Sequence, residues 1–115
     1  MSVTIFHNPR CSKSRQTLEL IREAGIEPNV VEYLKTPLSA QAIEELVALM
    51  GCPVIDICRT NESEFKEREL SKSSSNAELI AAMVASPIIM NRPIVQSDKG
   101  AVLCRPPELV KNVLP

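Results

Sequence analysis

The chain has 115 residues, 44% of them hydrophobic, and its 13 basic and 14 acidic side chains give a net charge of -1. This length predicts one domain over residues 1–115 with a hydrophobic core, and it is too short for two. The balanced charge excludes general attraction to nucleic acid or to an anionic membrane, so any anion site must be local. Without a bilayer-spanning stretch or a signal-peptide pattern, the sequence predicts a cytoplasmic protein.

The first third of the chain alternates a strand pattern with a helix pattern. Residues 3–6 are an apolar run that predicts a strand, and residues 12–24 carry apolar side chains at helical spacing up to Gly25, a common helix stop. Residues 29–33 contain adjacent β-branched side chains and predict a second strand. Because a helix connects the two strands, we expect them to pair in parallel as a βαβ unit.

Two amphipathic helices are predicted in the middle of the chain. Ser39 is the predicted cap of the first, which ends at Gly51, and the second covers residues 77–85 with Asn76 as its cap. Residues 60–75 between them are rich in charge and serine and form the predicted mobile region. This region is either a lid over a site or a solvated surface helix and loop.

The last third of the chain predicts a hairpin followed by a helix. Residues 94–96 and 101–104 flank a Ser-Asp-Lys-Gly turn, and Pro106-Pro107 can open a final helix. The order of elements resembles the thioredoxin-like (glutaredoxin-like) α/β arrangement, with a mixed sheet of about four strands and an inserted helical segment. A proline opening the third strand of such a fold is often cis, which predicts a cis Arg92-Pro93 bond beside the reactive cysteine.

Cys11 lies between the first predicted strand and the first predicted helix, so its sulfur is expected at a helix N-terminus. Unpaired backbone N–H groups and the positive end of the helix dipole favour the thiolate there, and Arg10, Lys13 and Arg15 add positive charge. The alternative is an inert thiol packed in the core, but the polar flanking residues favour a nucleophile.

Ser14 follows Cys11 in Cys-x-x-Ser spacing, so no local disulfide can form and the resolving thiol must come from another molecule. The Ser14 hydroxyl is predicted to donate a hydrogen bond to the thiolate and lower its pKa further. The other three cysteines, at positions 52, 58 and 104, are predicted buried core thiols. Their spacing lacks the paired Cys-x-x-Cys pattern of a zinc site, so no metal is expected.

Arg59, Arg92 and Arg105 stand at the ends of apolar segments, where their side chains can converge. Planar guanidinium groups suit a tetrahedral oxyanion because each offers paired donors and keeps its charge. Taken singly, each arginine is more often an ordinary solvated surface residue, as most arginines are. Arg92 and Arg105 both precede proline, which restricts their backbones and favours fixed positions.

His7 is the single histidine of the chain and lies just before the Cys11 loop. It is predicted either to tune Cys11 or to orient the loop through a hydrogen bond. A purely structural histidine is an equal alternative.

Four segments together resemble the glutaredoxin-coupled arsenate reductases of the ArsC type. Relatives share individual segments, but the set, in this order and spacing, is specific and covers nearly the whole chain. The segments are His-Asn-Pro-Arg-Cys-Ser-Lys-Ser-Arg (7–15), Tyr-Leu-Lys-Thr-Pro (33–37), Asn-Arg-Pro-Ile-Val (91–95) and Leu-Cys-Arg-Pro (103–106).

This resemblance implies an enzyme of arsenic detoxification in which Cys11 attacks arsenate. Arg59, Arg92 and Arg105 would hold the oxyanion, with His7 and Ser14 in supporting roles. No bound cofactor is implied; glutathione would be a co-substrate, and glutaredoxin would resolve the mixed disulfide. The expected partners are therefore these thiols and the arsenate oxyanion, with no nucleic acid or membrane, and a monomer is expected.

Two other functions share the same fold. A Spx-like regulator would bind RNA polymerase instead of turning over a substrate, but such chains usually carry Cys-x-x-Cys, and Ser14 removes the second thiol. A monothiol glutaredoxin-like reductase would reduce glutathionylated protein without arsenate. The three placed arginines favour an anion substrate over the regulator, whereas the monothiol reductase stays an alternative that an assay must test.

Overall fold

The computed structural model describes residues 2–115 and contains a four-stranded mixed sheet. The strand order is β2-β1-β3-β4, with β1 parallel to β2 and antiparallel to β3, and with β3 antiparallel to β4. This is the thioredoxin-like sheet that the sequence predicts. The strands are β1 (Thr4–His7), β2 (Asn29–Glu32), β3 (Ile94–Ser97) and β4 (Gly100–Leu103).

The chain divides into two compact units. The first contains the described residues up to Thr36 together with Arg92–Pro115, and it holds the sheet, helix α1 (Ser12–Glu23) and a C-terminal 3₁₀ helix. The second, Pro37–Asn91, is the inserted helical segment. This division does not test whether residues 1–115 form one domain, so the single domain stays a prediction.

Helix α1 connects the two parallel strands and ends where its sequence predicts. Gly25 adopts the left-handed conformation, with a φ of 82°, and its amide donates to the carbonyl of Arg22 at 2.9 Å. The amide of Ile26 then donates to the carbonyl of Ile21 at 3.3 Å, which completes a Schellman stop. The βαβ unit is therefore confirmed.

The core of the first unit joins α1, the sheet and the C-terminal segment. Apolar side chains from each of these elements are shielded from water there, and the buried thiol of Cys104 lies among them. This packing fixes α1 against the sheet and thereby places the N-terminus of α1, where Cys11 lies. The buried members are Val3, Ile5, Ile21, Val95, Cys104, Val110, Val113 and Leu114.

The inserted unit contains α2 (Ala40–Met50), α3 (Ser63–Glu67) and α4 (Asn76–Ala85), with α2 packed against α4. Ser39 caps α2 as predicted, since its hydroxyl accepts from the amide of Ala42 at 3.1 Å. The remaining elements are two 3₁₀ helices, Val54–Ile57 and Pro87–Ile89.

The predicted cap of the fourth helix was wrong by one residue. Ser75, not Asn76, is the cap: its hydroxyl accepts from the amide of Glu78 at 3.1 Å, and the Glu78 carboxylate accepts from the Ser75 amide at 3.1 Å. This reciprocal capping box satisfies two otherwise unpaired helix donors, which an Asn76 cap does not achieve.

Of two further elements, the first differs from its prediction and the second agrees with one of its two predicted alternatives. The predicted final helix is a 3₁₀ helix, Pro107–Asn112. The charged region 60–75 contains the short helix α3, whose Phe65 is buried while most of its charged side chains are exposed. This agrees with the surface-helix interpretation of the region.

Candidate functional site

A tight turn delivers Cys11 to the N-terminus of α1. The Cys11 amide donates to the carbonyl of Asn8 at 3.0 Å, and the side-chain oxygen of Asn8 accepts from the amide of Arg10 at 3.0 Å. The Cys11 carbonyl in turn accepts the first helical bond, from the amide of Arg15 at 3.0 Å. Cys11 therefore occupies the cap position, where the orphan amides of the first turn can face its sulfur.

Several donors and charges converge on the Cys11 sulfur. Burial alone would raise the pKa of this thiol, which is only 8% exposed. The backbone amide of Ser14, the positive charge of Arg92, the amide of Lys13 and the guanidinium of Arg105 outweigh burial and hold the pKa below its ordinary value. The structure therefore makes the Cys11 thiol more acidic than an ordinary cysteine.

Arg105 connects the reactive sulfur to the start of β3. Its Nη1 lies 3.9 Å from the Sγ of Cys11 and donates to the carbonyl oxygen of Arg92 at 3.0 Å. The backbone between these arginines is also tied, since the amide of Cys104 donates to the carbonyl of Pro93 at 2.9 Å. Two arginines that are distant in sequence from Cys11 thus meet it at one end of the sheet.

The Arg92-Pro93 bond is cis, as predicted, and the Arg105-Pro106 bond is cis as well, which the sequence interpretation did not anticipate. Pro93 directly precedes β3, and Arg105 lies two residues beyond the end of β4.

The hydroxyl of Ser14 does not take the predicted role of a donor to the thiolate. Its Oγ lies 2.6 Å from Nδ1 of His7 and accepts from the amide of Asn8 at 3.1 Å. The backbone amide of Ser14 is the group that interacts with Cys11. The two groups of Ser14 point in different directions. In the first turn of a helix the backbone amides point towards the cap residue, here Cys11, whereas the fully buried Ser14 side chain faces β1.

His7 is buried at the end of β1, 6% exposed. Burial lowers the pKa of its imidazole, with Glu32 opposing this shift and the charges of Arg22 and Arg15 reinforcing it. A neutral ring at physiological pH is therefore favoured. Through Ser14 this ring contacts the turn that carries Cys11, which agrees with the loop-orienting role.

The other cysteines differ from Cys11 in chemistry. Burial raises the pKa of Cys104 to about 12 and that of Cys58 to about 11. Cys52 is only partly buried, so the prediction of a buried core thiol is wrong for this residue and confirmed for Cys58 and Cys104. Partial burial and the nearby Asp56 raise the pKa of Cys52. All four thiols are free, and Cys11 is the one whose pKa is lowered.

Arg59 belongs to the second unit, at the turn that precedes α3. Its Nη1 lies 3.1 Å from the Oε2 of Glu62 and donates to the carbonyl of Ile88 at 3.4 Å. The structure thus brings His7, Cys11, Ser14, Arg92 and Arg105 together within the first unit. The role of Arg59 at this site stays a prediction.

The first unit matches a known family over nearly its full length, and so does the inserted segment. The ArsC family model matches residues 6–113. The chain belongs to the ArsC family. It is 48% identical over 116 residues to the arsenate reductase of Rhizobium meliloti (strain 1021), covering 100% of this chain and 83% of that protein.

Other ArsC relatives match as fully. The uncharacterized protein YfgD of Escherichia coli (strain K12) is 46% identical, covering 97% of this chain and 96% of that protein. The arsenate reductase structure from Vibrio cholerae superimposes with a TM-score of 0.95 at 41% identity, covering 99% of this chain and 98% of that one. These matches agree with the thioredoxin-like fold.

The described part of the chain contains neither a candidate metal site nor a candidate membrane-spanning helix. Residues 2–115 contain no group of three or more His, Cys, Asp or Glu side chains able to hold a metal ion. The same residues include no helix that is long and apolar enough to cross a membrane.

Asn8 is a site residue that the sequence interpretation overlooked. Its carbonyl accepts a hydrogen bond from the Cys11 amide, and its side-chain oxygen accepts one from the Arg10 amide. Its own amide donates to the hydroxyl of Ser14. The signal was present in the sequence as an Asn-Pro pair, because asparagine commonly closes such turns through its side-chain oxygen.

Proposed function

We propose that this protein reduces arsenate to arsenite. The single observation that carries the proposal is the contact of the Cys11 sulfur with the Arg105 guanidinium, 3.9 Å away, beside the positive charge of Arg92. An activated thiol beside two arginines is suited to a small, doubly charged tetrahedral oxyanion. ArsC relatives that are arsenate reductases, from Rhizobium meliloti (strain 1021) and Escherichia coli, add independent support.

The first step forms a covalent bond between sulfur and arsenic. The Cys11 thiolate attacks arsenic(V), an oxygen of arsenate leaves as water after protonation, and a thiolate-arsenic adduct remains. Arg92 and Arg105 stabilise the oxyanion charge during this step, with Arg59 as the third proposed ligand. Because guanidinium groups do not lose their protons at physiological pH, the three keep their charge throughout the cycle.

The second step transfers the electrons. The thiol of glutathione attacks the Cys11 sulfur, so that an S–S bond forms, the S–As bond breaks and its electron pair reduces arsenic(V) to arsenic(III), which leaves as arsenite. A glutaredoxin thiol then attacks the glutathione sulfur of the mixed disulfide and releases the Cys11 thiolate. Ser14 in place of a second cysteine supports this use of external thiols.

The proposed setting follows from these thiols. The reaction needs no resident cofactor, and glutathione acts as a co-substrate with glutaredoxin as the protein partner. We place it in the reducing cytoplasm, where Cys11 stays a free thiol. The protein acts as a monomer and requires no nucleic acid or membrane.

The test is arsenate-dependent oxidation of NADPH in the presence of glutathione, glutaredoxin and glutathione reductase. Wild type and Cys52→Ser are expected to be active, because Cys52 lies outside the site, whereas Cys11→Ser is expected to have lost all activity while remaining folded. Folded wild-type protein without activity would reject the proposal. Retention of RNA polymerase by the protein would then favour the Spx-like regulator, and reduction of a glutathionylated protein the monothiol reductase.

A further inference from the structure

The backbone of Arg59 is held firmly within the inserted unit. Its amide donates to the carbonyl of Ile89 at 2.7 Å, and its neighbour Cys58 forms an isolated antiparallel bridge with Met90. The carbonyl of Arg59 accepts from the amide of Glu62 at 3.1 Å, which closes the turn that leads into α3. These bonds fix the backbone from which the Arg59 side chain extends. They do not fix the direction of its guanidinium, which depends on the contacts of the side chain itself.

Two oxygens contact one nitrogen of this guanidinium. Nη1 of Arg59 lies 3.1 Å from the Oε2 of Glu62 and donates to the carbonyl oxygen of Ile88 at 3.4 Å. The side chains of Arg59 and Glu62 are 25% and 20% exposed, so this pair is more shielded than an ordinary surface ion pair. Among residues 2–115, no hydrogen bond from Nε or Nη2 of Arg59 is present.

The free edge is the one that matters for an oxyanion. Nε and Nη2 form the parallel pair of donors with which a guanidinium binds two oxygens at once. The contacts with Glu62 and Ile88 are both made by Nη1, and we infer that the Nε–Nη2 pair remains available. Arg59 lines a polar cavity of about 310 Å³ in the inserted unit, together with Cys58, Thr60, Asn61, Glu62 and Asn91.

The side chain of Glu62 does not stabilise the start of α3. It is the N-cap residue of α3, yet its side chain makes no capping hydrogen bond. Glutamate is also not among the residues that cap helices well. Its carboxylate turns to Arg59 instead.

We propose that Glu62 is a positioning residue, which holds Nη1 of Arg59 so that the Nε–Nη2 edge is presented to the oxyanion. This inference rests on the proposed function, in which Arg59 is an arsenate ligand. Glu62 makes no contact with the substrate; its effect on arsenate passes through Arg59. Its loss therefore lowers the affinity for the oxyanion more than the rate of the chemical step.

The first measurement is independent of catalysis. The heteronuclear NOE of the Arg59 Nε–H group, observed by NMR in the free protein, reports how rigidly the guanidinium is held. Glu62→Ala is expected to reduce this NOE clearly, whereas Glu62→Gln, which keeps an acceptor oxygen, retains most of it. Glu67→Gln, the same charge change at an exposed residue of α3, is the matched control and leaves it unchanged.

The second measurement is steady-state kinetics with arsenate. Glu62→Ala is expected to raise KM about tenfold with kcat changed less than about twofold, while Glu62→Gln stays within about threefold of wild type. In an Arg59→Ala background, Glu62→Ala should have no further effect, because the residue through which it acts is gone.

An Arg59 NOE that is unchanged in folded Glu62→Ala protein would overturn the proposal, and so would a lower KM, which would mean that the carboxylate competes with the oxyanion. If wild type reduces no arsenate, the proposed function fails, and the NOE still decides whether Glu62 positions Arg59.

Discussion

Ser14 Oγ lies 2.6 Å from Nδ1 of His7. This bond joins the first turn of α1 to the end of β1, the two elements that the Cys11 loop connects. The same oxygen accepts from the amide of Asn8 at 3.1 Å. One buried hydroxyl thus satisfies two groups of the turn that carries the reactive cysteine. In contrast, the Ser14 group that stabilises the thiolate is its backbone amide, which any residue at this position supplies.

This division of roles predicts that Ser14→Ala destabilises the protein and leaves the lowered pKa of Cys11 largely intact. The substitution leaves the buried Asn8 amide and the His7 ring without their partner, at a cost of about 1–3 kcal/mol in the free energy of unfolding. Denaturant unfolding measures this cost, and Ser12→Ala, at an exposed position of the same turn, is the control. A large rise in the Cys11 pKa would show that the hydroxyl, not the amide, acts on the thiolate.

The pH dependence of alkylation is expected to single out Cys11. Because its pKa is lowered from the ordinary value of a thiol, its reaction with iodoacetamide should reach half-maximal rate at a lower pH than that of an unperturbed cysteine. Cys58 and Cys104, with pKa values of about 11 and about 12, should stay unmodified in the folded protein. Mass spectrometry of protein sampled over time identifies the modified cysteine; a half-maximal rate near or above the ordinary value would contradict a stabilised thiolate.

The same pKa shift predicts a small dependence of stability on pH. The fold favours the thiolate of Cys11, so this group adds stability at pH values above the pKa of the unfolded thiol. That contribution is lost as the pH falls through the lower pKa of the folded protein. Cys11→Ser should abolish this part of the pH dependence, measured as the difference in unfolding free energy between the two proteins.

Arg92→Lys separates the charge of Arg92 from its planar shape. The lysine keeps the positive charge, so the Cys11 pKa should change little, but it lacks paired donors for the oxyanion. We expect kcat/KM for arsenate to fall about tenfold to a hundredfold. Arg92→Leu should in addition raise the Cys11 pKa, and full activity of Arg92→Lys would mean that the arginine acts through its charge alone.

Exchanging the caps of α4 tests the corrected helix start. Ser75→Ala removes the hydroxyl of the capping box and should lower the unfolding free energy by about 1 kcal/mol. Asn76→Ala, one residue further on, should have little effect because Asn76 is already inside the helix. Thermal or denaturant unfolding of both variants measures the difference, and equal losses would contradict the assignment of Ser75 as the cap.

Patterns local in the chain determined much of this protein by themselves. The βαβ unit, the α1 stop at Gly25 and the Ser39 cap of α2 depend on a few adjacent residues, and all agree with the structure. The placement of Cys11 at a helix N-terminus also follows from local order, because a strand, a short turn and a helix succeed one another directly.

Competing local signals are less decisive. Ser75 and Asn76 are both good capping residues, and the reciprocal bond to Glu78 selects the first. The sequence likewise did not distinguish a 3₁₀ helix from an α-helix at Pro107–Asn112, since a proline at its start suits either.

Only the tertiary structure decided which groups meet the reactive sulfur. Arg105 is 94 residues from Cys11 along the chain, and the antiparallel pairing of β3 with β1 and β4 is what returns it to within 3.9 Å. The sequence also did not predict the direction of the Ser14 hydroxyl or the pairing of Glu62 with Arg59. Such contacts depend on side-chain direction and on strand pairing between distant segments, whereas a sequence pattern specifies only neighbours along the chain.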